Sequence, residues 1–417
     1  MCHHGTGRCI FHHHTGHNDM SRVLVILPTS SYRTADFVTA AANLGIDLAV
    51  ASEEDPPLDL GDRFVRIDCR DPERAAAAIV ALADHTPIDA VVAADDAGVI
   101  IAALASERLG LPGHPPAAAA ATRDKLAMRQ LLAAAEVPQP AFVAVDEDLA
   151  VDPVVYPLVL KPRTGAASQG VLRVDTPESL PAVFARVRAI ADGLGESPPL
   201  LAESYIPGDE VAVEGLMVNG SLTILAVFDK PDTPAGPTFE ETLLVTPSTQ
   251  PPLVQTELAR VVTAAVGGLG LSHGPIHAEA RITSDGRVFL LEIAGRSIGG
   301  LCGRSLRFGL EGAGLEEQIL AAALGIPLTT TRQPRPAGVM MLPVEAAGIV
   351  TGVDGLDEVR ALPGITDVDL TTPPGTSVEP LPEGARYLGF IFAVGSTTEE
   401  VASVLRRAAA TLKVRIE

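Results

Sequence analysis

The chain has 417 residues, 47% of them hydrophobic and 20% charged, with 52 Asp and Glu against 31 Lys and Arg for a formal net charge of −21. That composition excludes wholesale disorder, and the acidic balance excludes gripping nucleic acid or an anionic membrane by bulk charge. A local basic pocket is still compatible with it. The length suffices for two or three domains with cores of their own. Four cysteines at no metal-like spacing make no disulfide framework in a chain this long, which points to a cytoplasmic location.

The first twenty residues differ from the rest. They hold six of the ten histidines, together with Cys2 and Cys9. The segment reads either as a metal-binding tail or as a disordered extension, and the usual disorder of termini favours the second. Met20-Ser21-Arg22 then opens directly into the strand-like run Val23-Leu24-Val25-Ile26-Leu27.

Apolar runs at 23–27, 46–51, 64–67 and 88–93, with helical stretches at 73–85 and 95–109, predict parallel α/β units over 21–113. Pro28-Thr29-Ser30-Ser31 carries no glycine fingerprint after the first strand, so a dinucleotide site is not expected there. Residues 114–330 mix hairpins, a small-residue loop and long helices, an α+β pattern. The Thr- and Pro-rich stretch 326–336 reads as a linker. Residues 331–417 form a small strand-rich domain with one helix near 398–412. No run of transmembrane length appears.

Several segments carry chemistry, again in chain order. Thr122 to Arg129 opens a helix that stops before Pro138, with Lys125 either a surface charge or a phosphate contact. Leu158-Val159-Leu160-Lys161 is a β-run ending in lysine. The small-residue loop 163–170 after it, including Ser168, Gln169 and Gly170, can turn backbone N–H groups toward an anion. Glu203-Ser204-Tyr205-Ile206 through Glu210 joins two strand-like runs and is either a ligand-facing connector or an ordinary turn.

The most informative pattern is a hairpin. Runs 276–283 and 288–294 alternate as strands around Asp285-Gly286, a tight-turn signal. With Asp285-Gly286 as a two-residue turn, Ser284 faces Arg287 and, stepping outward, Glu279 faces Glu292. Two carboxylates opposed across a hairpin repel, and a divalent cation such as Mg²⁺ or Mn²⁺ between them removes the repulsion. His277 would face Ala294 one pleat on, either beside that metal or as an ordinary hydrogen-bonded histidine. Gly274-Pro275 between His273 and His277 forbids the helix a zinc-binding pair would use. Arg296, four residues beyond Glu292, suits a bidentate grip on carboxylate or phosphate.

In this order and spacing the motifs resemble the ATP-grasp superfamily, specifically its carboxylate–amine ligases and, over 291–302 and the final domain, the bacterial L-amino acid ligases, which share the architecture of biotin carboxylase. The resemblance implies an ATP-grasp fold with a Rossmann-like N-terminal domain, an ATP-grasp domain and a small C-terminal α+β domain. It places ATP against Lys125, Lys161 and the 163–170 flap, with adenine at Glu203 to Ile206 and ribose at Glu210. It assigns Mg²⁺ (or Mn²⁺) to Glu279 and Glu292, with Lys161, His277 and Arg296 at the reacting groups. The substrates it implies are small carboxylates and amines, amino acids among them, with no nucleic-acid or membrane partner and with a homodimer allowed. Loops 229–248 (Lys230, Phe239, Glu240, Glu241) and 301–312 would shape specificity, and Arg304 or Arg307 would meet a substrate carboxylate or balance Glu311. One departure stands out: many members carry Asn where this chain has Ala294. Other ATP-grasp ligases, a small-metabolite kinase and a non-catalytic ATP sensor remain the alternatives.

Overall fold

A computed structural model describes residues 20–55, 60–195, 199–327 and 329–417, so the His-rich segment 1–19 lies outside the described residues. The expected N-terminal strands form one parallel sheet in the order Phe64–Arg66, Asp47–Ser52, Arg22–Ile26, Ala90–Ala93. Residues 23–26 and 90–93 are buried throughout, as strands with helices on both faces must be. Helix Pro72–Ala83 starts where the sequence rules place it: Asp71 accepts the Arg74 N–H and Pro72 occupies the first turn.

A four-stranded antiparallel sheet follows, ordered Phe142–Val145, Leu200–Ser204, Leu158–Lys161, Leu172–Val174, and helix Leu180–Gly193 packs on it. The largest sheet is antiparallel with eight strands. It runs from Val288–Ala294 through Gly274–Ile282, Asp209–Val218, Ser221–Lys230 and Leu243–Thr246 to Ala337–Leu342, Gly389–Val394 and Ile365–Asp369. Strands from both sides of segment 326–336 therefore share one sheet. Helices Lys125–Ala134 and Pro252–Leu269 pack together beneath one end of that sheet, and helix Thr398–Thr411 lies against the other. A continuous core ties the parallel sheet to the large one, with Val23, Phe37, Leu216, Phe228, Phe308 and Phe390 in a single buried cluster. No helix among the described residues is long and apolar enough to cross a membrane.

Two local expectations need correction. The 276–294 hairpin does not turn on two residues: the Thr283 N–H donates to the Arg287 carbonyl at 2.9 Å and the Gly286 N–H to the Thr283 carbonyl at 2.8 Å. Ser284, Asp285 and Gly286 thus form a three-residue loop, with Gly286 at φ 81 in the left-handed region that such loops need. That ladder pairs Ile282 with Val288 and would carry Glu279 onto Leu291. A bulge between Glu279 and Ala280 leaves Leu291 unpaired and restores the opposition of Glu279 to Glu292 and of His277 to Ala294. The helix expected to open at Thr122 is two helices. Thr122 and Arg123 end Pro116–Arg123, and Asp124 turns extended to cap Lys125–Ala134, accepting from the N–H groups of Leu126 (3.0 Å) and Ala127 (3.2 Å). A short acidic side chain competes for backbone N–H groups more effectively than it continues a helix.

Candidate functional site

The loops after the parallel strands, the small antiparallel sheet, the bulged hairpin and the segment before strand Gly389–Val394 surround one cleft of about 320 Å³. Every residue expected at the nucleotide, the metal or the reacting groups lines it except Gly170. The Gly170 N–H donates instead to the Pro382 carbonyl at 2.9 Å, and the Gln169 amide donates to the Glu383 carbonyl at 2.6 Å. The 163–170 loop is thereby fastened to the C-terminal region, while Ser168 and Gln169 still border the cleft.

One wall is cationic. Lys161 ends its strand on the same face as Glu203, two residues off register, and its Nζ lies 2.7 Å from Oε2 of that carboxylate. Arg129, fully buried, donates from Nε to Glu203 Oε1 at 2.7 Å and from its other nitrogens to the carbonyls of Leu290 and Leu291. Burial alone would raise the Glu203 pKa, but the two cations pull it down to about 2. Lys161 moves down too, because burial outweighs the help of Glu203 and Arg129 adds repulsion. The result is two cations on one carboxylate, an excess of positive charge behind the cleft. Lys125 adds a third cation: its Nζ is 3.1 Å from the Gly165 carbonyl and 3.5 Å from Glu292 Oε1.

The opposite wall is acidic. Lys230 is buried, and its ammonium is 3.0 Å from Glu210, 3.1 Å from Glu279 and in contact with Glu241. Burial and the neighbouring Glu279 lift the Glu241 pKa to about 7 despite Lys230, whereas burial of Glu279 is outweighed by Lys230 and His277, which hold it well below the ordinary range. Oxygens of Glu210, Glu241 and Glu279 lie within 4.8 Å of one another. An all-carboxylate set at that spacing suits a hard divalent cation, so the residues fit Mg²⁺ or Mn²⁺. Glu292, beside Lys125, stands outside that trio. His277 sits between Glu214, which contacts Nδ1, and Glu279, 3.3 Å from Nε2. Burial opposes charge on the ring, yet the two carboxylates raise its pKa to about 9. Both ring nitrogens of His277 thus face carboxylates, an arrangement that favours the imidazolium beside Glu279.

Aromatic groups close a third side. Tyr205 stacks on Phe239 with centroids 6.2 Å apart, and the Arg173 and Arg281 guanidinium groups lie 4.5 and 4.9 Å from the Tyr205 centroid. Arg281 also donates to the Ile206 carbonyl at 2.8 Å and to Glu210 at 3.0 Å, which holds the 203–210 connector against the hairpin strand. Arg296 reaches into the cleft but gives Nη2 to Asp96 at 2.7 Å, and Asp96 also bridges Arg123 at 2.7 Å. Burial would raise the Asp96 pKa; the two arginines overcome it and hold that carboxyl far below its usual range. The sequence reading of Arg304 and Arg307 fails. Arg304 pairs with Asp36 (2.9 Å) and Asp369 (2.7 Å), and Arg307 donates to the carbonyls of Arg304 and Leu306; neither reaches the cleft or Glu311.

Three family models match in chain order: an ATP-grasp N-terminal domain over residues 38–113, an ATP-grasp domain over 154–305 and an L-amino acid ligase C-terminal domain over 340–417. The chain belongs to the ATP-grasp superfamily. Its fold is that of the solved L-amino acid ligase from Bacillus licheniformis, with a TM-score of 0.79, 26% identity, and coverage of 95% of this chain and 99% of that one. It is 31% identical to carnosine synthase 1 from Gallus gallus over 64% of this chain, and 29% identical to alanine–anticapsin ligase from Bacillus subtilis over 54%. It spans only 32% and 52% of the lengths of those two relatives.

Within this ATP-grasp cleft, sequence reasoning missed the structural weight of Arg129, Asp96, Glu214 and Arg281, and read Lys230 and Glu241 only as parts of a specificity loop. Alternation did carry a weak signal for Glu214. It lies in a long apolar strand run where a lone acid demands a partner, and it finds two, the His277 ring and the Ile298 N–H at 2.9 Å. Nothing local pointed to Asp96, which meets Arg296 from 200 residues away.

Proposed function

We propose that this ATP-grasp chain is an ADP-forming carboxylate–amine ligase that joins amino acids. In the first step a substrate carboxylate oxygen attacks the γ-phosphorus of ATP, the bond to the β-phosphate oxygen breaks, and ADP leaves an acyl phosphate behind. In the second, a neutral amine attacks the acyl carbon, inorganic phosphate departs, and the amine loses a proton as the amide forms. Phosphoryl transfer asks the protein mainly for charge balance and alignment. Lys125 and Lys161 balance phosphate oxygens, Tyr205 and Ile206 border the purine, and the 163–170 loop shields an acyl phosphate that water would hydrolyse. A bound Mg²⁺ or Mn²⁺ would supply further neutralisation of phosphate charge, held by Glu279 and Glu292 with Glu210 and Glu241 alongside. Arg296, fixed by Asp96, is placed to orient a carboxylate.

The observation that carries this reading is the opposition, in one cleft, of a cationic wall built on Lys161 and an acidic wall built on Glu279. Relatives named as an alanine–anticapsin ligase and a carnosine synthase support amino acids as substrates. The test is ADP release with pairs of amino acids, followed by mass spectrometry of the product, for which an amide is expected. Glu292→Gln should cut turnover by about 10²–10³-fold while leaving the denaturation midpoint nearly unchanged. Unchanged ADP release in that variant would overturn the metal assignment. A phosphorylated product would make the protein a kinase, and ATP-dependent thermal stabilisation without ADP formation under any pairing would make it a sensor.

A further inference from the structure

The chain has only four tyrosines, and three of them line this cleft. Tyr205 belongs to the purine side. Tyr32 and Tyr387 belong to a separate wall organised around Phe390, which is itself fully buried. The Phe390 ring lies 5.7 Å from that of Tyr32 and 6.2 Å from that of Tyr387, and Phe390 pairs with Met341 on the neighbouring strand. Tyr32 and Tyr387 both border the cleft, and the Thr371 and Thr372 hydroxyls donate to the Tyr387 carbonyl. Gly300 completes the wall at φ 59, and a Cβ there would stand 2.7 Å from the Phe390 ring. Only glycine lets backbone approach this closely.

The charges beside this wall are mixed: Arg386 and Asp95 act on Tyr32, and Glu241 and Lys230 act on Tyr387. Arg296 is already engaged by Asp96, and the Asp95 carboxylate has no hydrogen bond or ion pair among the described residues. We propose that the wall of Tyr32, Met341 and Tyr387 receives the apolar side chain of an amino-acid substrate whose α-ammonium group is taken by Asp95. This rests on the ligase reading and goes one step further. An amine held as ammonium by a carboxylate has no lone pair for attack, so the bound amino acid is the one that donates its carboxylate, and it becomes the N-terminal residue of the product. Ring faces and a thioether desolvate an alkyl or aryl side chain well. A carboxylate side chain would lose its hydration against those ring faces, with Asp95 and Glu241 nearby.

The experiment measures ADP release by the full-length protein with leucine, methionine, alanine, glutamate or lysine, each offered with a fixed amine component. Tandem mass spectrometry then reads the order of residues in the product. Leucine or methionine should exceed alanine in kcat/KM by about tenfold and glutamate by about a hundredfold, with the apolar residue N-terminal. Tyr387→Ala should erase most of the leucine-over-alanine preference, and Asp95→Asn should raise KM for the amino acid about tenfold or more, both with KM for ATP unchanged. Tyr387→Leu, a milder change, should keep the preference and guards against misfolding. Preference for glutamate or lysine, an apolar residue at the C-terminal position, or equal losses for leucine and alanine in Tyr387→Ala would overturn the proposal. If no pair releases ADP, the ligase reading falls separately. The wall then stands or falls on whether leucine, and not glutamate, raises the melting temperature in the presence of a non-hydrolysable ATP analogue.

Discussion

Two buried ion clusters face the same cleft with opposite imbalance. Around Glu203, Arg129 and Lys161 share one carboxylate; around Lys230, Glu210, Glu214, Glu241 and Glu279 outnumber the ammonium, Arg281 and His277. Charge buried in excess is unfavourable unless a ligand completes it. The first cluster is therefore set to accept an anion and the second a cation, which is how a chain with a net charge of −21 can attract a nucleotide locally. The global field opposes the anion, and salt should screen that opposition more than it screens the buried walls.

The comparison can be broken most severely at Arg129. Arg129→Met strands Glu203 with one partner and frees two backbone carbonyls, so denaturant unfolding should show a loss of about 3–5 kcal/mol. Lys230→Met leaves Glu241 without its cation and Glu210 and Glu279 with only Arg281 and His277, and should cost nearly as much, about 3 kcal/mol. The two variants should respond differently to Mg²⁺ in thermal denaturation. Millimolar Mg²⁺ should restore much of the Lys230→Met stability and none of that lost in Arg129→Met; equal responses would remove the distinction between the walls.

A pH series sharpens the same contrast. The folded pKa of Glu203, about 2, lies below its ordinary value near 4.5, so its contribution is fully present above pH 4.5. That contribution, about 3 kcal/mol at most, is lost as the pH falls through 4.5 toward 2. Lys161→Met should flatten this part of the curve, because Glu203 then titrates closer to 4.5; an unchanged slope would show that the cationic wall does not control it. The smallest effect is expected where helix Leu180–Gly193 meets the C-terminal region at the surface. Arg186 pairs with Glu383 at 2.7 and 3.0 Å, but both side chains are largely solvated. Arg186→Gln should change stability by less than about 1 kcal/mol.

What was legible in the sequence follows from how far apart the interacting residues lie along the chain. The parallel strands, the strand ending in Lys161 and the helix at 398–411 are patterns of neighbouring residues, and they appear where periodicity placed them. The hairpin shows how local reasoning can reach a correct pairing through an incorrect turn. The register of Glu279 and Glu292 holds only because a bulge at Leu291 cancels the extra loop residue. Gly170 shows the opposite failure. Its small-residue loop was recognisable, but the N–H was captured by Pro382 from a region whose position no local rule encodes.

By itself, then, the sequence determined the order of strands and helices, the hairpin that opposes two glutamates and the two lysines that reach the cleft. All of these rest on steric and hydrogen-bonding preferences within a few residues. Only the tertiary structure decided which charge meets which: Arg129 with Glu203 across 74 residues, Lys230 with Glu279 across 49, Arg296 with Asp96 across 200. A buried charge must find a partner, but which one depends on what packing brings within about 3 Å. The same holds for the wall around Phe390, assembled from four separate segments whose apolar residues, taken one at a time, look like ordinary core.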